Sequence, residues 1–343
     1  MKSGSGSDAV TGVGPVPTPI LQIHASRKCN LSCTHCYSQS GPSAAGALAI
    51  DRVCRLIDDA ARMGYQAVAF SGGEPFIYPG LLEALRRARA LGLHTTVTTN
   101  GTLLDPPRLE VLHDLVSLLA VSVDGPPELH NEIRGSSSAF DRMVAGVENL
   151  RSAGIRFGFI HTLTRPSWEH LAWLADFAHR NGASLFQIHP LELIGRAEQA
   201  MHARIPDEDV LARAYLLSFA LVAKYNGRMK VQIDLVHRDQ VLRNPACVYA
   251  TDFCDSGKRA ADLLGVVVLE PDGSMVPVAY GFSRRFMICD INKERFATAW
   301  PRYAVTDYAE FRRLCRAALD KISSPTMPQL FNWHDLIVHQ SLS

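Results

Sequence analysis

The chain has 343 residues, of which 47% are hydrophobic and 20% charged, values that exclude a disordered, collagen-like or coiled-coil protein. Its 35 basic and 34 acidic residues give a net charge of +1, which argues against a mainly electrostatic grip on nucleic acid or an anionic membrane. No run of about 18 apolar residues occurs, and Met1 to Ser7 lack a signal-peptide core, so we expect a cytoplasmic protein without a membrane span.

From residue 20 onward, short apolar strands alternate with helices. Residues 1–19 are rich in Gly, Ser, Pro and Thr, which predicts a flexible leader. Asp51 is the expected N-cap of the first helix. Strands are predicted at 20–24, 66–70, 95–98, 118–123, 156–163 and 184–189, and helices at 51–63, 81–91, 108–115, 140–153 and 168–181. Repeated strand–helix units with strands that look continuously apolar predict an α/β fold, in which helices cover a parallel sheet.

The alternation ends near residue 200, and the rest of the chain follows a different pattern. A helix at 207–224 is predicted within a helical connection over 201–239. Two strands, at 264–270 and 274–278, are joined by an Asp272-Gly273 turn and predict a hairpin. A further helix is expected at 307–321. We therefore divide the chain into a catalytic core at 20–200 and a small α+β module at 240–343.

Three of the eight cysteines lie together directly after the first predicted strand. Cys29, Cys33 and Cys36 have the spacing C-x3-C-x2-C, and such a loop can wrap three thiolates around a [4Fe–4S] cluster. Because a cluster of this type usually has four cysteine ligands, three would leave one iron open for a substrate or cofactor. The alternative is a zinc loop that recruits His24 and His35.

The cysteine loop and three further segments resemble the radical S-adenosylmethionine (SAM) enzymes over residues 20–200. Ser71–Pro75 resembles the family's GGEP segment, Thr99–Thr102 its TNG segment, and Ser122–Pro126 with His130 and Arg134 its SxDG…H…RG run. The resemblance implies a partial (β/α)6 TIM-like barrel with its active site at the C-terminal strand edge. It also implies one [4Fe–4S] cluster held by three cysteines, SAM as cofactor, and a flavodoxin- or ferredoxin-type electron donor.

The resemblance further implies roles for residues around SAM. The open iron would chelate the methionine part of SAM, which the backbone of Gly72 and Gly73 can approach because no Cβ intervenes. Glu74 is expected to accept a hydrogen bond from the methionine ammonium, or else to be a carboxylate at a helix start. Asn100 and Ser122 are candidates to bind the ribose or the methionine carboxylate.

Arg134, Tyr37 and His189 complete the expected cofactor site. The guanidinium of Arg134 suits the methionine carboxylate, with a surface salt bridge as its alternative. Tyr37 is expected near the adenine or as a packing aromatic, and His189 near the adenine, near the substrate or in a structural role. Arg196 would bind an anionic group or be a plain surface arginine. The candidate substrate residues are Asp124, His161, Thr162, Thr164, Glu192 and Arg196.

The C-terminal module resembles a degenerate SPASM or twitch module. Val278 stands where the family pattern has a cysteine, and no downstream C-x2-C-x5-C-x3-C run follows. The usual ligand set for auxiliary clusters is therefore missing, and we expect the module to close the mouth of the barrel. The cysteines of this region, which would hold one cluster or be buried apolar thiols, are Cys247, Cys254, Cys289 and Cys315.

Two enzymatic hypotheses and one non-enzymatic hypothesis follow. The first is a radical SAM enzyme of lyase or oxidoreductase type, which acts on a sugar, cyclitol or nucleoside in antibiotic-type biosynthesis by decarboxylation, dehydrogenation or epimerisation. The missing auxiliary ligands and the near-zero charge favour it. The alternative is a maturase of ribosomally made peptides that performs crosslinking, epimerisation or backbone excision, because residues 21–42 resemble the opening of some such enzymes. The last is a non-catalytic iron–sulfur or zinc-binding protein.

Overall fold

The structure is a computed structural model that describes residues 18–250 and 258–343. Its largest element is a parallel sheet in which each strand pairs with the next along the chain. The strands are β1 (Ile20–Ile23), β2 (Ala67–Phe70), β3 (His94–Thr99), β4 (Leu118–Ser122), β5 (Phe157–Leu163), β6 (Leu185–Pro190) and β7 (Lys230–Ile233). The α/β class and the partial TIM-like barrel are thus confirmed.

Helices connect the strands and pack against the sheet. They are α1 (Ile50–Arg62), α2 (Leu81–Ala90), α3 (Pro106–Glu110), α4 (Pro127–Arg134), α5 (Ala139–Ser152), α6 (Leu171–Arg180), α7 (Arg196–Ala200) and α8 (Glu208–Tyr225). Asp51 is not the N-cap of α1, because the helix begins one residue earlier and is preceded by Ala49. Asp51 instead lies in the first turn and forms an exposed salt bridge with Arg55 at 2.8 Å.

The strands alternate between fully buried and half-buried residues, whereas the sequence had suggested continuously apolar strands. Successive side chains of a strand point to opposite faces, so the half-buried residues share one face. The other face packs against the helices, and the half-buried face is the inner wall of the barrel, which we call the lumen. Its residues are Gln22, Ala69, Thr96, Thr98, Ala120, Ser122, Ile160, Thr162, Gln187, His189 and Gln232. A wall without covering helices tolerates polar side chains, which explains the difference.

The segment 201–239, predicted as a helical connection, contains α8 and also two strands. β7 extends the parallel sheet beyond β6, with Gln187 opposite Gln232. β8 (Val236–His237) pairs with β12 (Leu330–Phe331) in a separate two-stranded sheet, and α9 (Arg238–Arg243) follows β8. The barrel therefore has a seventh strand beyond the six that the sequence predicts.

The C-terminal region continues the sheet of the barrel. β9 (Val266–Leu269) lies parallel to β1, and the predicted hairpin pairs it with β10 (Ser274–Pro277). The remaining elements are α10 (Ala260–Leu263), β11 (Cys289–Asp290), α11 (Phe296–Val305), α12 (Asp307–Ile322) and α13 (Trp333–Leu342). The full order is β11-β10-β9-β1-β2-β3-β4-β5-β6-β7, and one hydrophobic core joins both parts. Within the described ranges, every helix is too short or too polar to cross a membrane.

Candidate functional site

The three cysteines of the loop after β1 lie side by side at the C-terminal edge of the sheet. Cys29 and Cys33 are buried and pack with Leu31, while Cys36 is half-buried against them. Burial raises the pKa of Cys29 to about 11 and also raises the pKa of Cys33. Because metals bind thiolates and not thiols, iron binding would drive deprotonation of these buried groups.

Each of the three sulfurs has a nitrogen donor. The donors are Asn100 Nδ2 at 3.9 Å from Cys29 Sγ, Arg134 Nη1 at 3.8 Å from Cys33 Sγ, and the backbone amide of Ser40 at 3.3 Å from Cys36 Sγ. Hydrogen bonds to the sulfurs are one of the factors that set the potential of an iron–sulfur cluster. Three neighbouring thiols, each with a donor, therefore fit the ligand set of a cluster with one open iron.

A single metal ion is a different case. Within residues 18–250 and 258–343, no three His, Cys, Asp or Glu side chains converge on a point where one ion could be held. A cubane cluster makes no such demand, since each thiolate binds a different iron and the ligands surround the cluster. His35, a proposed zinc ligand, directs Nε2 at Asp124 Oδ2, 3.2 Å away.

Gly72 and Gly73 bring the loop after β2 against the loop that leads to Cys29. The amide of Gly73 donates to Ser26 O at 3.0 Å, and a Cβ on Gly73 would lie 2.1 Å from Lys28 O. Gly72 has φ +104°, a conformation that favours glycine, and its Cβ would lie 3.0 Å from Ser26 O. The lack of a Cβ at both glycines therefore allows these two loops to lie close together. Contact of this backbone with SAM stays a prediction.

Glu74 is buried at the end of the same loop and is held by three donors. Oε1 accepts from Thr99 Oγ1 at 2.9 Å and from the amide of Phe76 at 3.2 Å, and Oε2 accepts from the amide of Asn100 at 2.9 Å. Burial raises the pKa of Glu74. The residue caps the short 3-10 helix Pro75–Ile77, which agrees with the helix-start alternative. A hydrogen bond from the SAM ammonium to Glu74 stays a prediction.

Asn100 and Ser122 occupy different surroundings. The amide nitrogen of Asn100 also donates to Asn30 Oδ1 at 2.9 Å, and its oxygen accepts from Thr102 Oγ1 at 2.7 Å and from the Thr102 amide at 2.9 Å. Asn100 thus connects the TNG segment to the cysteine loop. Ser122 ends β4 on the lumen face and is half-buried, so of the two it is the one open to a ligand in the barrel.

Arg134 and Asp124 form a buried ion pair, with Arg134 Nε 2.6 Å from Asp124 Oδ2. Asp124 has no exposed surface and Arg134 is 8% exposed, so neither the surface salt bridge nor an open substrate residue describes them. Although burial alone would raise it, Arg134 and His35 hold the pKa of Asp124 well below its usual value. The ion pair positions the guanidinium of Arg134 beside Cys33 Sγ. A fully buried Asp124 does not match the substrate role predicted for it.

Arg196 lies directly after the loop that follows β6 and donates hydrogen bonds to backbone carbonyls of the cysteine loop. Its Nη1 donates to Cys33 O at 2.6 Å, its Nη2 to Ser40 O at 2.7 Å and its backbone amide to Cys36 O at 2.9 Å. Gly195, at φ +66°, permits this contact, because a Cβ there would lie 2.2 Å from Tyr37 O. Arg196 therefore binds carbonyl groups of this chain, and neither the anionic ligand nor the surface alternative describes it.

Tyr37 belongs to a cluster of three aromatic side chains with His24 and Tyr280. Its hydroxyl lies 3.2 Å from Ser71 Oγ, and its ring lies 5.9 Å from the ring of His24 and 5.2 Å from that of Tyr280. Burial raises the pKa of Tyr37. Tyr37 and Tyr280 also line a cavity of about 210 Å³ together with Ile194. The C-terminal region thus reaches the cysteine loop.

His24, a zinc-ligand candidate from the sequence, directly follows β1 and is 2% exposed. Neither ring nitrogen has a hydrogen-bond partner among the described residues. Burial lowers the pKa of His24 to about 3, so the ring is neutral at physiological pH. A buried imidazole with no partner costs free energy, about 1–3 kcal/mol, which indicates that a ligand or water completes its bonding.

At the same edge of the sheet, near the C-terminal end of β6, His189 lies between two carboxylates. Its Nδ1 is 3.0 Å from Asp234 Oδ2 and its Nε2 is 3.1 Å from Glu192 Oε1. Burial alone would lower the pKa of His189, but the two carboxylates raise it well above its usual value. Gln187 Nε2 donates to Asp234 Oδ2 at 2.7 Å, and Asn332 Nδ2 donates to Glu192 Oε1 at 2.9 Å. We call Asp234, His189 and Glu192 the acidic triad.

His161 and Thr164 do not belong to the lumen, contrary to their prediction as substrate residues. His161 shares the helix-packed face of β5 with Phe159 and is fully buried. Its ring nitrogens lie 3.0 Å from Val123 O and 3.0 Å from Ser167 Oγ. Ser167 Oγ also accepts from the amide of Thr164 at 2.8 Å. Both residues fix the turn after β5, whereas Thr162 faces the lumen.

The C-terminal cysteines are dispersed in the part of the chain that the structure describes. Cys289 and Cys315 are buried, Cys247 is half-buried, and Cys254 lies outside the described residues. Burial raises the pKa of Cys289 to about 12, and its Sγ lies 3.9 Å from Met275 Sδ. Val278 is buried with φ +67°. These surroundings are apolar, in line with the prediction of buried thiols.

Comparison with known proteins adds three findings. Residues 23–178 match the family model described as the Radical SAM superfamily. The chain is 36% identical over 175 residues to an AdoMet-dependent heme synthase of Methanosarcina barkeri, which covers 50% of each protein. It is 27% identical over 269 residues to a PqqA peptide cyclase of Ruegeria pomeroyi, covering 76% of this chain and 68% of that protein.

The fold also has solved counterparts. The structure of Streptococcus suis SuiB bound to S-adenosylmethionine matches with a TM-score of 0.67 at 18% identity, over 87% of this chain and 68% of that one. At that identity the likeness shows the fold alone. The chain spans about half the length of the heme synthase that it matches.

Proposed function

From a radical SAM domain at residues 23–178, with its [4Fe–4S] cluster and SAM, we propose that the protein modifies a peptide substrate. The chain is a radical SAM enzyme, and the non-catalytic hypothesis is therefore set aside. One observation carries the choice of a peptide. The match to the PqqA peptide cyclase extends over 269 residues, more than the core at 20–200 can hold, whereas the match to the heme synthase covers 175.

The length of the match bears on the substrate because of what the later residues do. Tyr280 packs against Tyr37 beside the cysteine loop, and Asn332 donates to Glu192 of the acidic triad. Both belong to the region that lies beyond the core. Similarity there concerns the walls that a substrate would touch, while similarity within the core concerns mainly cluster and SAM.

The residues of this chain have separable tasks in the proposed reaction. When bound, the cluster and SAM would supply the radical chemistry needed to take a hydrogen atom from a C–H bond of the substrate. Cys29, Cys33 and Cys36 hold the cluster, and Arg196 fixes the backbone of their loop. Ser122, on the lumen face, is in position to contact SAM or substrate. A flavodoxin- or ferredoxin-type protein would supply the electron.

A second candidate function is the modification of a small natural product such as a sugar, cyclitol or nucleoside. It is favoured by the dispersal of Cys247, Cys289 and Cys315 among the described residues, together with Val278 at the position of a family cysteine. A net oxidation must pass a second electron to an acceptor such as an auxiliary cluster. A redox-neutral reaction, such as loss of carbon dioxide, has no such need.

The two candidates are separated by product analysis. The enzyme is co-expressed with a set of candidate precursor peptides, and each peptide is examined by mass spectrometry. A peptide that loses two hydrogens, loses a backbone fragment, or gains one deuterium in D2O supports the proposal. The variant Cys33→Ala is the control and is expected to leave the peptide unchanged. Formation of 5′-deoxyadenosine without modification of any peptide would overturn the proposal.

A further inference from the structure

The acidic triad carries a net negative charge, because among residues 18–250 and 258–343 only His189 forms an ion pair with its two carboxylates. His189 contributes one positive charge, because both ring nitrogens face carboxylates, and Asp234 and Glu192 contribute two negative charges. Although burial acts in the opposite direction, His189 keeps the pKa values of Asp234 and Glu192 below their usual range. One negative charge therefore remains at the C-terminal ends of β6 and β7.

The printed side-chain donors around the triad point at its carboxylates, and carboxylate oxygens with acceptor capacity are left over. Gln187 and Asn332 direct their amide nitrogens at the carboxylates. Glu192 Oε2 accepts no bond from any residue that the structure describes, and Asp234 Oδ1 has one weak donor, Gln232 Nε2 at 3.4 Å. The group that would complete this site is therefore rich in donors and not in acceptors.

The triad is open to the lumen and is not a sealed ion pair. The side chains of His189, Glu192 and Asp234 are 32%, 20% and 19% exposed, whereas Asp124 of the buried ion pair is not exposed at all. Three charged groups in a partly dry cavity carry a desolvation penalty that their mutual attraction only partly offsets. Apolar side chains at these three positions would stabilise the fold at least as well as the charged ones. The charged side chains therefore indicate that this site binds a ligand.

A second feature of the lumen points to the same kind of ligand. His24 directly follows β1, two residues after Gln22, and is buried with both ring nitrogens free of partners among the described residues. Tyr280 lies against it with ring centroids 4.9 Å apart. Ile194 and Gly195, just after Glu192, line one cavity with Tyr37 and Tyr280. The charged side chains that line this cavity are Arg27, Glu270, Asp272 and Arg284. The unpartnered nitrogens of His24 can accept a hydrogen bond from a donor-rich group.

We propose that the lumen bounded by the acidic triad and by His24, Tyr37 and Tyr280 binds a cationic nitrogen group of the substrate, an ammonium or a guanidinium. Glu192 Oε2 is its ion-pair partner. The inference rests on the proposed function in one respect, because a peptide would supply this group as a lysine or arginine side chain. An amino sugar carries the same ammonium, so the chemistry itself holds for both sources.

The test measures binding to the reconstituted holoenzyme without turnover. The probes are n-butylammonium and the neutral pentan-1-ol, titrated by saturation-transfer NMR. The wild type is expected to bind the ammonium at least about tenfold more tightly than the alcohol, as one charge-assisted hydrogen bond allows. Glu192→Gln is expected to remove this preference while keeping iron content and urea midpoint. Asp114→Asn, which removes an exposed carboxylate on the surface, is the matched control and is expected to leave it unchanged.

Two results would overturn the inference: equal affinity of the wild type for the two probes, or an undiminished preference in Glu192→Gln. A second comparison distinguishes the sources of the ammonium. Tighter binding of N-acetyl-lysine-methylamide than of glucosamine supports the peptide. Tighter binding of glucosamine leaves the cation pocket intact and overturns the peptide proposal, so the two failures are separable.

Discussion

Replacement of Arg196 by alanine tests how the cysteine loop is held. The side chain makes two charge-assisted hydrogen bonds, to Cys33 O at 2.6 Å and to Ser40 O at 2.7 Å, from a half-buried position. Hydrogen bonds to charged groups contribute about 1.5–3 kcal/mol each, and half-burial favours the lower figure, so the loop loses about 3 kcal/mol. That free energy corresponds to roughly a 100-fold easier opening of the loop.

The assay is the rate at which the anaerobic holoenzyme releases iron to a chelator, since release requires the loop to open. Arg196→Ala is expected to accelerate release by about 100-fold. The matched control is Arg55→Ala, which removes an exposed salt bridge with Asp51 and should change the rate less than about twofold. Release at the wild-type rate in Arg196→Ala would refute the assignment of Arg196 as the clamp of this loop.

Three further predictions concern stability and cluster number. Asp124→Asn leaves the buried Arg134 without its counter-charge and is expected to lower the free energy of unfolding in urea by about 3–5 kcal/mol; a loss below about 1 kcal/mol would contradict the buried ion pair. Because the pKa of His24 is about 3 in the fold and 6.5 for an ordinary histidine, the unfolded chain binds an extra proton between these pH values, and acid destabilises the fold. His24 accounts for a loss of about 2 kcal/mol in the free energy of unfolding between pH 6.5 and 5. The urea midpoint of His24→Gln should therefore fall less than that of the wild type over this range. An equal fall in both proteins would place His24 in contact with solvent. Val278→Ala is expected to retain all iron, and loss of iron would indicate a cluster near the hairpin.

The position of the cysteine loop could be predicted because it depends on local order alone. Cys29, Cys33 and Cys36 follow an apolar strand, and the carboxyl ends of parallel strands meet at one edge of the sheet. The GGEP and TNG segments follow the next two strands for the same reason. Local order thus predicts that these segments lie near the cysteine loop, and Asn100 Nδ2 is 3.9 Å from Cys29 Sγ.

Period-two alternation along the strands predicts which residues face the lumen. β5 contains Phe157, Phe159 and His161 on one face and Ile160 with Thr162 on the other, so period-two alternation already separates His161 from Thr162. Short strands with many Val, Leu and Ala residues conceal this pattern when they are interpreted as continuously apolar. The polar wall of the barrel was therefore missed.

Other parts of the site have no local signal. Asp234 follows β7, a four-residue strand that single-sequence patterns did not reveal, and Asn332 lies 140 positions from Glu192. The two carbonyl partners of Arg196 lie 163 and 156 positions away. Such contacts arise from the packing of the C-terminal region and of the β6 loop on the barrel, and spacing along the chain carries no information about them.

The most direct test of the account is the iron and sulfide content of the anaerobically reconstituted protein, compared with a variant in which Cys29, Cys33 and Cys36 are all alanine. We expect about four irons per chain in the wild type and none in the variant, because three cysteines would hold one [4Fe–4S] cluster. The same samples, with SAM and dithionite, should yield 5′-deoxyadenosine only from the wild type. Iron that survives in the variant would contradict the single cluster and place a second ligand set among the remaining cysteines.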